Sequence, residues 1–238
     1  MPPKTNRNQT KLLIMGYYID LEKITIDDYR IKLRSAYLSP GRMILKEKLD
    51  ERFGYFKSIG IKNVKELIEL IRKKDKFAEL SKVDSLSGDY LTVLLRELNS
   101  TLPKPNKLAD FVGISKNTID KLEKTGITNT EKLYNKVIKK SDRQKLADSL
   151  GIDYTEILEL TKLTDLSRIK WVGVTYAQML YALGVDTVKK VSETDPVDLH
   201  ARINKMIKEN NIFKGAIGLN DVKISIESAN ELPLDIEY

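Results

Sequence analysis

Two short segments place a glycine behind an apolar pair and a hydroxyl residue two positions later: Phe111-Val112-Gly113-Ile114-Ser115 and Trp171-Val172-Gly173-Val174-Thr175. A tight turn of this kind, followed at once by a helix, leaves backbone N–H groups pointing out of the helix start. With the helix dipole, those groups favour a phosphate oxygen. Lys116, Lys124, Arg168 and Lys170 lie near enough in sequence to add cations. The candidate nucleic-acid-binding residues are therefore Gly113, Ile114, Ser115, Lys116, Arg168, Lys170, Trp171, Gly173, Val174 and Thr175. Trp171 and Phe111 could also stack on an unpaired base, worth about 1–3 kcal/mol per base. Core or hairpin-to-hairpin packing is the alternative for both rings.

Other chemistries find few residues to use. The chain has no cysteine, which removes disulfides, thiol nucleophiles and cysteine-ligated zinc, and its single histidine, His200, leaves no multi-histidine metal site. One histidine also makes a Ser-His-Asp arrangement improbable, and no glycine-rich nucleotide loop or metal helix occurs. Asp27-Asp28 and Asp195 with Asp198 read as helix-start residues, because carboxylates there complement free N–H groups. The expectation is a non-enzymatic chain with no cofactor and no metal.

Forty-one Lys plus Arg against 34 Asp plus Glu give the 238 residues a net charge of +7, part of it from Lys4, Arg7 and Lys11. A charge of this size steers polyanions without identifying one. Hydrophobic residues at 41% and charged residues at 32% describe a globular chain with a highly charged surface. Residues 1–14 read as a flexible basic tail rather than a signal peptide, and no window approaches the roughly 20 apolar residues of a membrane span. A cytoplasmic address with no membrane partner is expected.

What must position the hairpins is helical throughout. One corner recurs at FKSIGIKNVKEL, LEKTGITNTEKL and LYALGVDTVKKV, built on Gly60, Gly126 and Gly184. Each ends one helix at a left-handed glycine, packs the next Ile or Val back on it, and starts a new helix within three residues. Asn63 with Glu66 and Thr128 with Glu131 have capping-box spacing, Asp186 or Thr187 caps the third, and Thr175 with Gln178 repeats that spacing at the hairpin. A weaker first hairpin is read at LSPGRMILKEKLDERF, with Ser39 as cap, Pro40 at the first helical position and Arg42 toward the helix start. KKDKFAEL and GDYLTVLL are echoed by KKSDRQKL and IDYTEILE about 64 to 66 residues later, as in a duplicated helical unit. Residues 102–106, with two prolines, read as a linker. The predicted fold is all-α, with tandem helix-hairpin-helix-like repeats stacked in one or two helical domains: an N-terminal unit over 15–101 and a C-terminal one over 107–238. Leu219 to Asn230 suits a last helix, although Val222 to Ile226 has mild β character.

The stretch from Asp165 to Ile203 resembles domain-of-unknown-function family 4332, a group similar to helix-hairpin-helix modules. The resemblance is carried by Asp165-Leu166, Arg168-Ile169, Val172-Gly173, Tyr176-Ala177, Leu180, Gly184-Val185-Asp186-Thr187, Val188, Pro196 and Leu199-His200. It is good over roughly residues 140–235 and fainter upstream toward Leu38. It implies sequence-independent contact with nucleic-acid backbones. Helix-hairpin-helix loops usually read Gly-hydrophobic-Gly; aligned that way, Trp171 and Phe111 occupy the first glycine position. The expected function is binding of nucleic acid, taken as DNA, by both hairpins; about four neutralised phosphates would give log K against log salt a slope near roughly −3.6. The alternative is a helical scaffold with a protein partner.

Overall fold

The computed structural model describes residues 16–238, so the tail expected over residues 1–14 lies outside the described residues. The chain divides into two compact units at Leu102/Pro103, inside the proline-containing stretch. The first unit runs over Asp20–Leu102. It contains α1 (Ile26–Ser35), a 3-10 turn over Pro40–Lys46, then α2 (Leu49–Ser58), α3 (Val64–Arg72), α4 (Lys74–Leu80) and α5 (Gly88–Ser100). Its core joins Tyr29, Phe53, Phe56, Leu67, Ile71, Leu91 and Leu94.

The second unit comprises Pro103–Tyr238 and residues 16–19, which the sequence reading had placed in the N-terminal unit. After a 3-10 turn over Leu108–Asp110 come α6 (Lys116–Lys124), α7 (Thr130–Val137), α8 (Lys140–Leu150), α9 (Tyr154–Leu166), α10 (Val174–Ala182), α11 (Val188–Ser192), α12 (Pro196–Asn210) and α13 (Leu219–Glu231). Val222 to Ile226 thus lies within a helix. The described residues hold no strand, only two isolated bridges, and none of their helices is long and apolar enough to cross a membrane. The protein is all-α.

All three corners form with one geometry. Ile61 N–H donates to Phe56 O (3.1 Å), Ile127 N–H to Leu122 O (3.0 Å) and Val185 N–H to Leu180 O (3.0 Å), around glycines at φ +89, +83 and +76°. A Cβ is strained at such angles, which fixes glycine there. The next helix is capped three residues after each glycine, by Asn63, Asn129 and Thr187. One expectation is corrected by this spacing, since Asn129 rather than Thr128 is the cap; of the two candidates at the third corner Thr187 caps, and Asp186 holds the ammonium groups of Lys162 (2.5 Å) and Lys190 (2.6 Å).

Arg168 has a different place from the one expected. Its side chain is fully buried, ion-paired to Asp165 Oδ1 (2.7 Å). It also donates to the carbonyls of Gly16 (3.0 Å), Tyr17 (3.4 Å) and Pro233 (2.7 Å), and lies over the Tyr134 ring. Asp165 Oδ2 in turn accepts from Val188 N–H (2.9 Å) and Tyr238 Oη (3.0 Å). This pair therefore clasps residues 16–17 and the C-terminal strap to α9, and the guanidinium is enclosed away from any solvent anion.

Candidate nucleic-acid interface

The two hairpins align two residues out of step with their sequence match. Gly113 (φ +97°) and Trp171 (φ +66°) are the left-handed residues; Ile114 and Val172 follow, packed inward, and Ser115 and Gly173 are the helix caps. The corner glycines give the same register, since Gly126 lies 11 residues after Ser115 and Gly184 lies 11 after Gly173. Each hairpin thus keeps one glycine of the Gly-hydrophobic-Gly pattern, the first in one copy and the last in the other. Phe111, 3% exposed, belongs to the core and not to the hairpin tip. In the first unit the helix before Gly60 also starts behind a left-handed residue, Lys48 (φ +44°). The hairpin read at Ser39 is instead the 3-10 turn, uncapped by Ser39, with Arg42 turned to Glu97.

Around each of these helix starts a residue of the first turn, the fourth after Lys48 and the third after Ser115 and Gly173, meets the 13-residue helix that follows later in the chain. In the first unit Arg52 lies 3.9 Å over the Tyr90 ring and donates to the carbonyls of Ile44 and Glu47 (2.8 Å each). At the next hairpin the partner of Thr118 is Glu156. That carboxylate accepts from Ser115 N–H (3.0 Å), from Ser115 Oγ (3.3 Å) and from the Thr118 hydroxyl. The hydroxyl of Thr118 with the N–H of Ser115 holds the Glu156 carboxyl below the usual range. Lys116, for its part, is paired with Asp120 (2.7 Å), and Lys124 stands at the far end of α6.

At the second hairpin the pairing is lost. The residue in Glu156's place, third in its helix, is Asp221; one methylene shorter, it accepts from Gly218 N–H at the start of its own helix (3.3 Å). Tyr176, in Thr118's place, hydrogen-bonds Ser225 Oγ one turn further on (3.2 Å), and burial pushes its hydroxyl pKa up. Gly173 carries no side chain, and no side-chain cap meets the start of α10. Thr175 is exposed as the second residue of that helix, so the expected Thr175–Gln178 box does not form; Gln178 donates to Val112 O instead (2.6 Å). The space so vacated is a cleft of about 350 Å³ lined by Trp171, Tyr176, Met179, Phe213 and Ile217 together with the polar Lys170, Thr175, Asp221 and Ser225.

Trp171 is 41% exposed although its left-handed backbone costs roughly 1–2 kcal/mol in a non-glycine residue. Lys170 Nζ lies 4.7 Å above its ring, and Lys170 N–H donates to Ser228 Oγ (3.0 Å). Val174 is half-buried against the core. Of the ten residues expected to bind, the structure thus gathers Lys170, Trp171, Gly173, Val174 and Thr175 at one open helix start. Gly113, Ile114, Ser115 and Lys116 lie at a start already filled, and Arg168 is a fold clasp. The positive charge is thin here: residues 103–238 hold 21 Lys plus Arg against 20 Asp plus Glu, and none is charged from 171 to 185.

Residues 112–232 match the family described as Domain of unknown function (DUF4332). The chain belongs to this family. The DUF4332 region covers both hairpins, starting at the exposed tip residue Val112 and ending in the loop after α13. No curated protein and no solved structure matches the chain. Sequence reasoning missed Glu156, Asp221 and Phe213; the 11-residue spacing from cap to corner glycine was a signal for the hairpin register alone.

Because Glu156 ties the first DUF4332 hairpin together, Glu156→Gln is expected to destabilise the second unit by about 1–2 kcal/mol at neutral pH. Its folded pKa is depressed, so this contribution is present above the unfolded value of about 4.3 and is lost as pH falls through the lower folded value. Thermal melts from pH 7 to pH 3 should show the wild-type advantage over the variant vanish in acid. An advantage constant with pH would rule out the carboxylate as its source.

Proposed function

We propose that the protein binds nucleic acid through the second hairpin alone, without catalysis and without base-sequence readout. One backbone phosphate sits on the N–H groups at the start of α10, with Lys170 and Trp171 beside it. The observation that carries this reading is the contrast between two equivalent helix starts: one is filled by the Glu156 carboxylate, the other is capped by a bare glycine. An anion-shaped seat occupied internally in one copy and open in the next points to an external anion. The grip by both hairpins expected from the sequence has no support at the first one. A single strand suits one seat flanked by one aromatic ring, and a cytoplasmic address for a cysteine-free chain is part of the proposal.

The test is fluorescence anisotropy of labelled single-stranded and duplex DNA across a salt series. One or two phosphate contacts give a slope of about −0.7 to −1.4 for single strands, far shallower than the four-contact value. Lys170→Glu should weaken binding by about three- to tenfold. No binding of either form at low salt would reject the proposal. A protein partner is the second reading, favoured by Val112, which is 78% exposed and bridged to the uncharged α10 by Gln178. Apolar docking holds or strengthens with added salt, whereas a phosphate contact weakens.

A further inference from the structure

The cleft beside the open helix start has a composition of its own. Its walls are mostly aromatic or apolar, formed by Trp171, Tyr176, Met179, Phe213 and Ile217, with the hydroxyls of Thr175 and Ser225 among them. Phe213 is 39% exposed and lies in the 211–218 loop between α12 and α13, on the opposite side of the sequence from the hairpin. Charge in the lining comes from the Lys170 ammonium and the Asp221 carboxylate. An occupant matching this pattern carries an anion toward the amide end, a flat ring for the aromatic walls, and a hydrogen-bond donor on the ring edge for the carboxylate. A nucleotide with an amino-bearing base has all three.

We propose that the cleft is a base pocket, receiving one unpaired nucleobase that carries an exocyclic amino group, stacked on Trp171 and Phe213 with its amino group donated to Asp221. This rests on the nucleic-acid reading above and deepens it, because a duplex-paired base cannot enter. The pocket arises where the internal pair is broken: Thr118 and Glu156 close the equivalent space in the other copy, while Tyr176 and the shorter Asp221 leave it open. The left-handed strain at Trp171 has the same sense. It holds at the lip of the cleft a ring that the core does not bury.

Trp171 is the chain's single tryptophan, so its indole N–H resonance reports on the cleft alone. The full chain is titrated with adenosine, thymidine and inorganic phosphate, and separately with a labelled single-stranded oligonucleotide. Adenosine should shift the indole resonance saturably, thymidine at least about threefold more weakly, and phosphate little. Phe213→Ala, at an exposed loop position, should weaken adenosine about fivefold or more. Asp221→Asn should bring adenosine and thymidine to within about twofold of each other. If adenosine leaves the resonance unmoved while the oligonucleotide still binds, the base pocket is overturned and the hairpin reading stands. If adenosine binds and the oligonucleotide does not, the cleft is a site for free nucleosides and the nucleic-acid reading fails. If neither binds, both fall.

Discussion

Arg168→Ala should cost the second unit about 3–5 kcal/mol, the largest loss expected of any single substitution among the ten residues that the sequence offers for binding. The guanidinium is buried, and removing it strands the Asp165 carboxylate, 3% exposed, together with the carbonyls of Gly16, Tyr17 and Pro233. Asp165 keeps the bonds from Val188 N–H and Tyr238 Oη but loses its counter-charge, and the carbonyls pay the desolvation cost of the lost donor. The consequence spreads beyond α9, because the same cluster fastens the C-terminal strap. Arg143 donates to Glu237 O (2.5 Å), Tyr134 Oη to Asp235 (3.0 Å), and Tyr238 Oη to Asp165. Lys116→Ala makes the contrast, since its pair with Asp120 is solvent-exposed and screened, and its loss should leave the unfolding midpoint essentially unchanged. Urea unfolding of both variants measures the difference. A loss below about 1 kcal/mol for Arg168→Ala, with residues 233–238 still protected from proteolysis, would contradict the clasp.

How far the sequence could be read is decided by reach. The corners at Gly60, Gly126 and Gly184 were legible because everything that forms them lies within about seven residues: the positive-φ glycine, the apolar residue after it and the capping oxygen. The fold class followed from those corners and from helical periodicity. The hairpin register was not legible from local likeness, since Phe-Val-Gly and Trp-Val-Gly match in letters while their backbones do different things. Gly113 is left-handed, whereas Gly173 is an extended cap (φ −81°) and Trp171 carries the left-handed turn. Arg168 and Glu156 escaped for a different reason. Their roles depend on partners 38 to 152 residues away, and a sequence shows a basic residue beside a turn without showing whether it faces inward. Burial, not residue type, separates a fold clasp from a phosphate ligand.

Gly173→Asp should abolish nucleic-acid binding, by about tenfold or more, while raising stability by about 1 kcal/mol. Gly173 is the cap of α10 with extended backbone, and a Cβ built there meets nothing within 4 Å, so a side chain enters without strain. An aspartate at that position accepts from the N–H groups two and three residues on and complements the helix dipole. Replacing glycine also narrows the unfolded ensemble. The variant thereby gives the second hairpin the internal anion that Glu156 gives the first, and the proposed phosphate seat is filled. Gly173→Ala adds a side chain without an acceptor and should bind within about twofold of wild type, which separates occupation of the seat from simple crowding. Opposite signs are the decisive feature: a damaged fold lowers stability and binding together, whereas a filled seat raises one as it removes the other. Binding that survives Gly173→Asp unchanged would show that the open amides hold no phosphate, and would leave the apolar surface from Val112 to Trp171 as the interacting face.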